Sequence, residues 1–150
     1  MQSVVAAGAG FLLAVLWFDL MFDVQVLRHP AGELPEPVLA SIAAYYRRVT
    51  TDARPMSRLV AAAMLTTVVA ILVQLIRGDA PRWVSAVSAV TALVPIGLAG
   101  ARTLPNAVRL GARRDSVPAQ SSLARSVCRD HLFCVAGIAT LLLVQLIAAR

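Results

Sequence analysis

The chain has 150 residues, of which 59% are hydrophobic, and a formal net charge of +6. A soluble domain is about 45–50% apolar, and the mean hydropathy of +0.75 excludes an ordinary water-soluble globule. The predicted pI of 11.0 hints at nucleic acid, but all 14 basic residues are arginine and they flank apolar stretches. No basic patch interleaved with aromatics is present, which excludes a stacking groove for nucleic acid.

Four apolar blocks follow one another: Val4–Phe22, Leu59–Ile76, Trp83–Leu104 and Leu132–Ala149. A helix needs about 20 apolar residues to cross a bilayer. The blocks therefore predict spans over roughly 4–26, 57–76, 83–105 and 126–149. The expected fold is all-α, an integral membrane four-helix bundle forming a single domain over residues 1–150.

The first block reads as a retained span and not as a signal peptide. Met1-Gln2-Ser3 carries no positive side chain, and Asp19 and Asp23 stand where a small-residue cleavage site belongs. Ala6, Gly10 and Ala14 form a small-residue ridge suited to close helix packing or a subunit contact. The two acids lie on another face, with Leu12 and Leu16. A carboxylate at membrane depth costs about 2.5–3.5 kcal/mol unless paired or wetted, so something must hold this pair.

After the first span, Pro35 and Pro37 open a loop that Pro55 closes. Val38, Ile42, Tyr45 and Val49 recur at helical spacing, with Leu39 and Tyr46 beside them. The pattern predicts a short interfacial helix with its tyrosines at headgroup level. The alternative is an extension of the second span kinked at Pro55. Gly78-Asp79-Ala80-Pro81 makes a short turn, so the second and third spans are antiparallel neighbours. Trp83 anchors one end of the third.

In the third span, Ser85, Ser88, Ala92, Pro95, Ala99, Arg102 and Asn106 share one face at about 100° per residue. This stripe should face other helices and turn Arg102 inward toward Asp19 or Asp23. Pro95, followed by Gly97 and Gly100, marks a kink or a hinge. Gly111 to Ser122 reads as a flexible segment, with Ser121 or Ser122 capping the last helix. Gln74 and Gln145 fall at the same outer level.

Eleven arginines lie in the two long loops and three on the other side, at Arg77, Arg82 and Arg150. The positive-inside rule then puts both long loops in the cytoplasm and both termini outside, in the cell's inner (plasma) membrane. Arg47, Arg48 and Arg54 suit anionic lipid headgroups. The same threading brings Asp19, Asp23, Arg58, Arg102, Asn106, Asp130 and His131 to one depth. This polar cluster is either a structural lock or a proton or ion site.

Cys128, His131 and Cys134 form a C-x2-H-x2-C run, a weak metal signal, because a helix rises about 9 Å over six residues. His29, at the end of the first span, is a further imidazole that a ligand set or proton relay with His131 would use. No nucleotide loop, H-E-x-x-H, G-x-S-x-G or paired CxxC is present, so the sequence names no catalytic residue and no cofactor. In layout, four short spans with an acid in the first resemble the small multidrug transporters, though the acid here lies near a helix end and the loops are longer. The leading expectation is an oligomeric channel or transporter-like protein. A non-catalytic membrane partner or assembly subunit, or a small enzyme acting on a lipid or quinone-like compound, are the alternatives.

Overall fold

The computed structural model describes residues 1–149, apart from the side chain of Arg54. Arg150, counted above on the sparse side, lies outside the described residues, as does the proposed headgroup contact of Arg54. The chain is all-α. Four long helices, Gln2–Arg28, Pro55–Arg77, Arg82–Ala112 and Val117–Ala148, are apolar enough to cross a membrane, and these are the four blocks of the sequence. The helices are α1 (Gln2–Asp23), α2 (Glu36–Arg47), α3 (Arg54–Arg77), α4 (Arg82–Leu98), α5 (Leu104–Ala112) and α6 (Val117–Ala148). A 3-10 turn, Val24–Arg28, extends α1. A π turn, Ala99–Thr103, joins α4 to α5 in one rod.

The threading is antiparallel. Gln2 Nε2 donates to the carbonyl of Ala148 at 3.3 Å, so the start of α1 meets the end of α6. At the opposite end lie α2, α5 and the start of α6, with most of the arginines. The central helix is α6, which packs on both α1 and α4. Gly78 ends α3 in the left-handed conformation, φ +67°, the turn glycine allows without strain.

Two apolar cores result. One fills the span bundle with Val5, Ala9, Leu12, Ala70, Ile71, Ala92, Ile138 and Leu141. The other lies at the arginine-rich end, where α2 buries Leu39, Ile42 and Tyr46 against Leu110, Val127 and Leu34. Pro37 sits in the first turn of α2, where its missing N–H costs nothing. This helix ends in a π turn, Arg48–Asp52, and Ala53 (φ −94°, ψ 60°) breaks the chain before α3. It is therefore a separate short helix and not a kinked extension of the second span. Its approach to α5 needs Gly111: a Cβ there would stand 2.7 Å from the backbone N of Arg47.

The flexible segment expected at Gly111–Ser122 is mostly helix. The α5 helix continues to Ala112, and α6 begins at Val117 with Pro118 in its first turn. Proline starts helices well, which is why its presence misleads as a loop signal. Ser121 does not cap. It back-bonds to the Val117 carbonyl (2.8 Å) and accepts from the Leu34 N–H (2.9 Å), while Ser116 takes the N-cap position. Arg125 clamps the same loop by donating to the carbonyls of His29 (3.0 Å) and Gly32 (2.7 Å).

The ridge Ala6, Gly10, Ala14 is not the packing face within the chain. Ala14 is exposed, and a Cβ at Gly10 would meet open space. The buried face is Val5, Ala9 and Leu12. The close approach of α1 to α3 is made at Gly8, where an added Cβ would collide with Thr67 Oγ1. Small residues permit close approach only on the face that meets a neighbour.

Candidate functional site

Asp23 is the last residue of α1 and is wholly buried. Tyr46 Oη donates to its Oδ1 at 2.6 Å, and His131 Nδ1 lies 2.6 Å from its Oδ2. One helical turn earlier, Asp19 Oδ1 accepts from Tyr45 Oη at 2.7 Å. Its Oδ2 faces His131 Nε2 at 3.8 Å. The imidazole thus stands between two carboxylates. A carboxylate accepts only, so Nδ1 carries a proton toward Asp23 and Nε2 is the face turned to Asp19.

Local sequence explains the assembly. Asp19 and Asp23 are four apart and so share a face of α1. Tyr45 and Tyr46 are adjacent on α2, yet both reach the acids because α2 crosses over the end of α1. The Tyr45 ring stacks on Phe22 with centroids 4.1 Å apart, and its edge meets Tyr46. Burial first, then the nearby acids, push both phenols above the ordinary tyrosine value of 10.0. They remain neutral donors, and a hydrogen bond to an ionised acceptor is shorter and stronger than a neutral one.

Arg102 does not partner Asp19 or Asp23. It pairs with Asp130 at 3.4 Å and donates to Ser126 at 2.8 Å, with its side chain 47% exposed. The cause is the π turn. Ser85, Ser88, Ala92 and Pro95 do face inward, as their spacing predicts. A π turn then inserts an extra residue per turn and rotates the remainder of the stripe. Thr103 becomes the buried residue instead, 3.4 Å from Asp130 Oδ2. Arg58 is exposed and Asn106 half-buried, and among the described residues neither enters the hydrogen bonds around His131. Of the seven residues expected at one depth, Asp19, Asp23 and His131 form the site, with Asp130 and Arg102 as an adjoining pair.

The tyrosines are the part sequence reasoning misses. They read as headgroup anchors, but their hydroxyls turn inward to the acids. The available signal was a pair of buried carboxylates lacking donors beside a short helix carrying two phenols.

Pro95 is buried inside α4, and α6 presents Gly137 to it, where a Cβ would lie 2.5 Å from Pro95 Cγ. Cys128 and Cys134 are free, buried thiols. Among the described residues, no group of three His, Cys, Asp or Glu side chains is arranged so that it could hold a metal ion.

Beside His131 lies a cavity of about 70 Å³. Its wall is Leu12, Val15 and Leu16 from α1, Val60 and Met64 from α3, Pro95, Ile96 and Ala99 along the third span, and Cys134 and Ile138 from α6. Among the described residues, Asp19 and His131 are its only ionisable groups apart from that thiol. The arrangement puts a carboxylate and an oriented imidazole at the rim of an apolar space, a pairing that can carry a proton transfer. No family model, curated protein or solved structure matches the chain.

Proposed function

We propose that this four-span membrane protein is a small enzyme that moves a proton on a lipid-soluble compound held against Asp19 and His131. The carrying observation is the geometry of one imidazole. Asp23 fixes its Nδ1 at 2.6 Å, and its Nε2 is directed toward Asp19 and the apolar cavity. A base held in one orientation by a buried carboxylate is ready to take a proton without first reorganising. The apolar wall favours a lipid or quinone-like compound over a hydrated ion. This order reverses the one the sequence favours, where a channel or transporter stands first. A hydrated path through a single copy would also have to pass the packed layer of Val5, Ala9, Ile71, Ala92 and Leu141.

The arginine bias supports placing this end of the bundle in the cytoplasm. Exposed Arg28, Arg48, Arg58 and Arg114 suit anionic headgroups there.

The test incubates the purified protein with membrane lipid extract in heavy water and follows deuterium uptake by mass spectrometry. One extract component should gain deuterium with the wild-type chain and not with His131→Gln of matched thermal stability. Exchange that ignores His131, or its absence from every component, overturns the reading. A proton flux across vesicles that depends on Asp19, without any such exchange, would restore the transporter in its place.

A further inference from the structure

Most polar atoms around the cavity are already engaged with protein. Tyr45 Oη donates to Asp19 Oδ1 at 2.7 Å, and the Cys134 thiol donates to the Pro95 carbonyl at 3.6 Å. His131 Nδ1 holds its proton toward Asp23 at 2.6 Å. Among the described wall residues, the side-chain polar atoms left facing the space are Asp19 Oδ2 and His131 Nε2. They stand 3.8 Å apart, beyond direct hydrogen-bond reach. A third atom about 2.8 Å from each would be within reach of both.

The chemistry of that third atom follows from the protons available. The pair holds either one proton between its two atoms or none. With one, it offers one donor and one acceptor; with none, it offers two acceptors. A hydroxyl gives one hydrogen bond and accepts another, so it meets the pair in both states. A carbonyl or ether only accepts. It would take the donor of the first state and leave the acceptor bare, and in the second state it would find no donor. An ammonium only donates, so it suits the second state alone. A carboxylate or phosphate would face the Asp19 carboxylate with like charge. Leaving a buried polar atom unpaired carries the full cost of its desolvation, which is why a site shaped around an O–H rejects analogues that lack it.

Size narrows the body behind that head. An engineered apolar cavity that takes benzene measures roughly 150 Å³, about twice the 70 Å³ present here. The space is too small for a ring and admits the end of an unbranched chain. The wall beyond the pair is hydrocarbon, from Leu12, Leu16, Val60, Met64 and Ile138.

Building on the acid–base reading, we infer that Asp19 Oδ2 and His131 Nε2 form a hydroxyl-binding pair, and that the compound they take is a straight-chain lipid alcohol and not a quinone. The hydroxyl bridges the two atoms, and the chain lies against the apolar wall.

The test uses the two imidazoles of the chain, His29 and His131, as reporters. The full chain is labelled with ring-15N histidine, placed in phosphatidylcholine nanodiscs and titrated with 1-octanol. His29→Gln assigns the signals. The His131 nitrogens should shift saturably while those of His29 stay constant. At equal mole fraction in the bilayer, 2-octanone, octane and octylammonium should each need at least about tenfold more to give the same shift. Asp19→Asn keeps an oxygen for Tyr45 and turns an N–H toward the cavity. It should strengthen 2-octanone and narrow its gap to 1-octanol to under about threefold. The wild-type order stands as a test by itself if that variant does not fold. A His131 signal that ignores 1-octanol or drifts without saturating, a wild type that prefers the ketone or the ammonium, or an unchanged gap in a folded Asp19→Asn would each overturn the hydroxyl pair. Deuterium exchange that depends on His131 would survive all of these results. Conversely, a clear preference for 1-octanol without any exchange would sink the enzyme alone and leave the binding pair.

Discussion

The two ends of the span bundle both bury polar side chains, and they do so differently. At the arginine-rich end the buried groups include carboxylates beside neutral side chains such as Gln120 and Ser121, and Asp19 and Asp23 are satisfied by His131 and by two hydroxyls from α2. At the opposite end they are neutral. Gln145 Nε2 donates to Ser88 Oγ at 2.8 Å and to Gln74 Oε1 at 3.4 Å, all within the spans. Gln74 Nε2 and Gln145 Oε1 are left without a protein partner. The difference follows from what each group tolerates. A buried carboxylate needs several strong donors, more than the apolar spans supply, so the chain adds a helix to bring them. A neutral amide with one missing bond is cheaper, and close helix packing can seal it in.

That contrast can be broken at three places, in descending order of effect. Asp23→Ala strips His131 and Tyr46 of their shared acceptor. Removing one partner of a buried pair costs about 3–5 kcal/mol, so thermal unfolding in detergent micelles should show a large loss, with α2 released to protease. Retention of wild-type stability would mean that the carboxylate is not holding the two groups together.

Gly111→Ala acts on the same end without touching a charge. Its Cβ would stand 2.7 Å from Arg47 N and 3.0 Å from Arg47 Cα, and backbone cannot step aside as a flexible side chain can. Overpacking costs about 1–3 kcal/mol. Faster hydrogen exchange confined to α2 is expected, since the spans make their contacts elsewhere.

The smallest effect belongs to the amide end. Gln74→Leu combined with Gln145→Leu removes both partners and both orphan atoms. Hydrogen bonds between membrane helices average about 0.6 kcal/mol, so the double variant should lie within about that amount of wild type. Gln145→Leu alone should be the worse of the two, because it strands Gln74 and Ser88. If the double variant instead falls as far as Asp23→Ala, the two ends are alike and the comparison is wrong.

The site was partly legible. Asp19 and Asp23 stood out because acids are rare in apolar blocks, and antiparallel threading placed His131 at their level. The partner was misassigned. Arg102 follows the inward stripe Ser85–Ser88–Ala92–Pro95 on a regular helix, but the π turn at Ala99–Thr103 swings it out to Asp130. Nothing in Ala99-Gly100-Ala101-Arg102-Thr103 announces that extra residue per turn. The tyrosines failed for a related reason: the amphipathic pattern gives α2 a buried face without saying what covers it.

Length, apolar content and the spacing of four blocks determined the helices and their number of crossings, because a single apolar segment of about 20 residues can satisfy its own backbone across a bilayer only as a helix. Periodicity in the first loop added the short helix. Which groups touch was decided only by tertiary structure. One irregular turn in the third span and one close approach at Gly111 set where Arg102, Tyr45 and Tyr46 point, and contacts of that kind depend on ångström-scale rotation and crossing of helices that residue order does not encode locally.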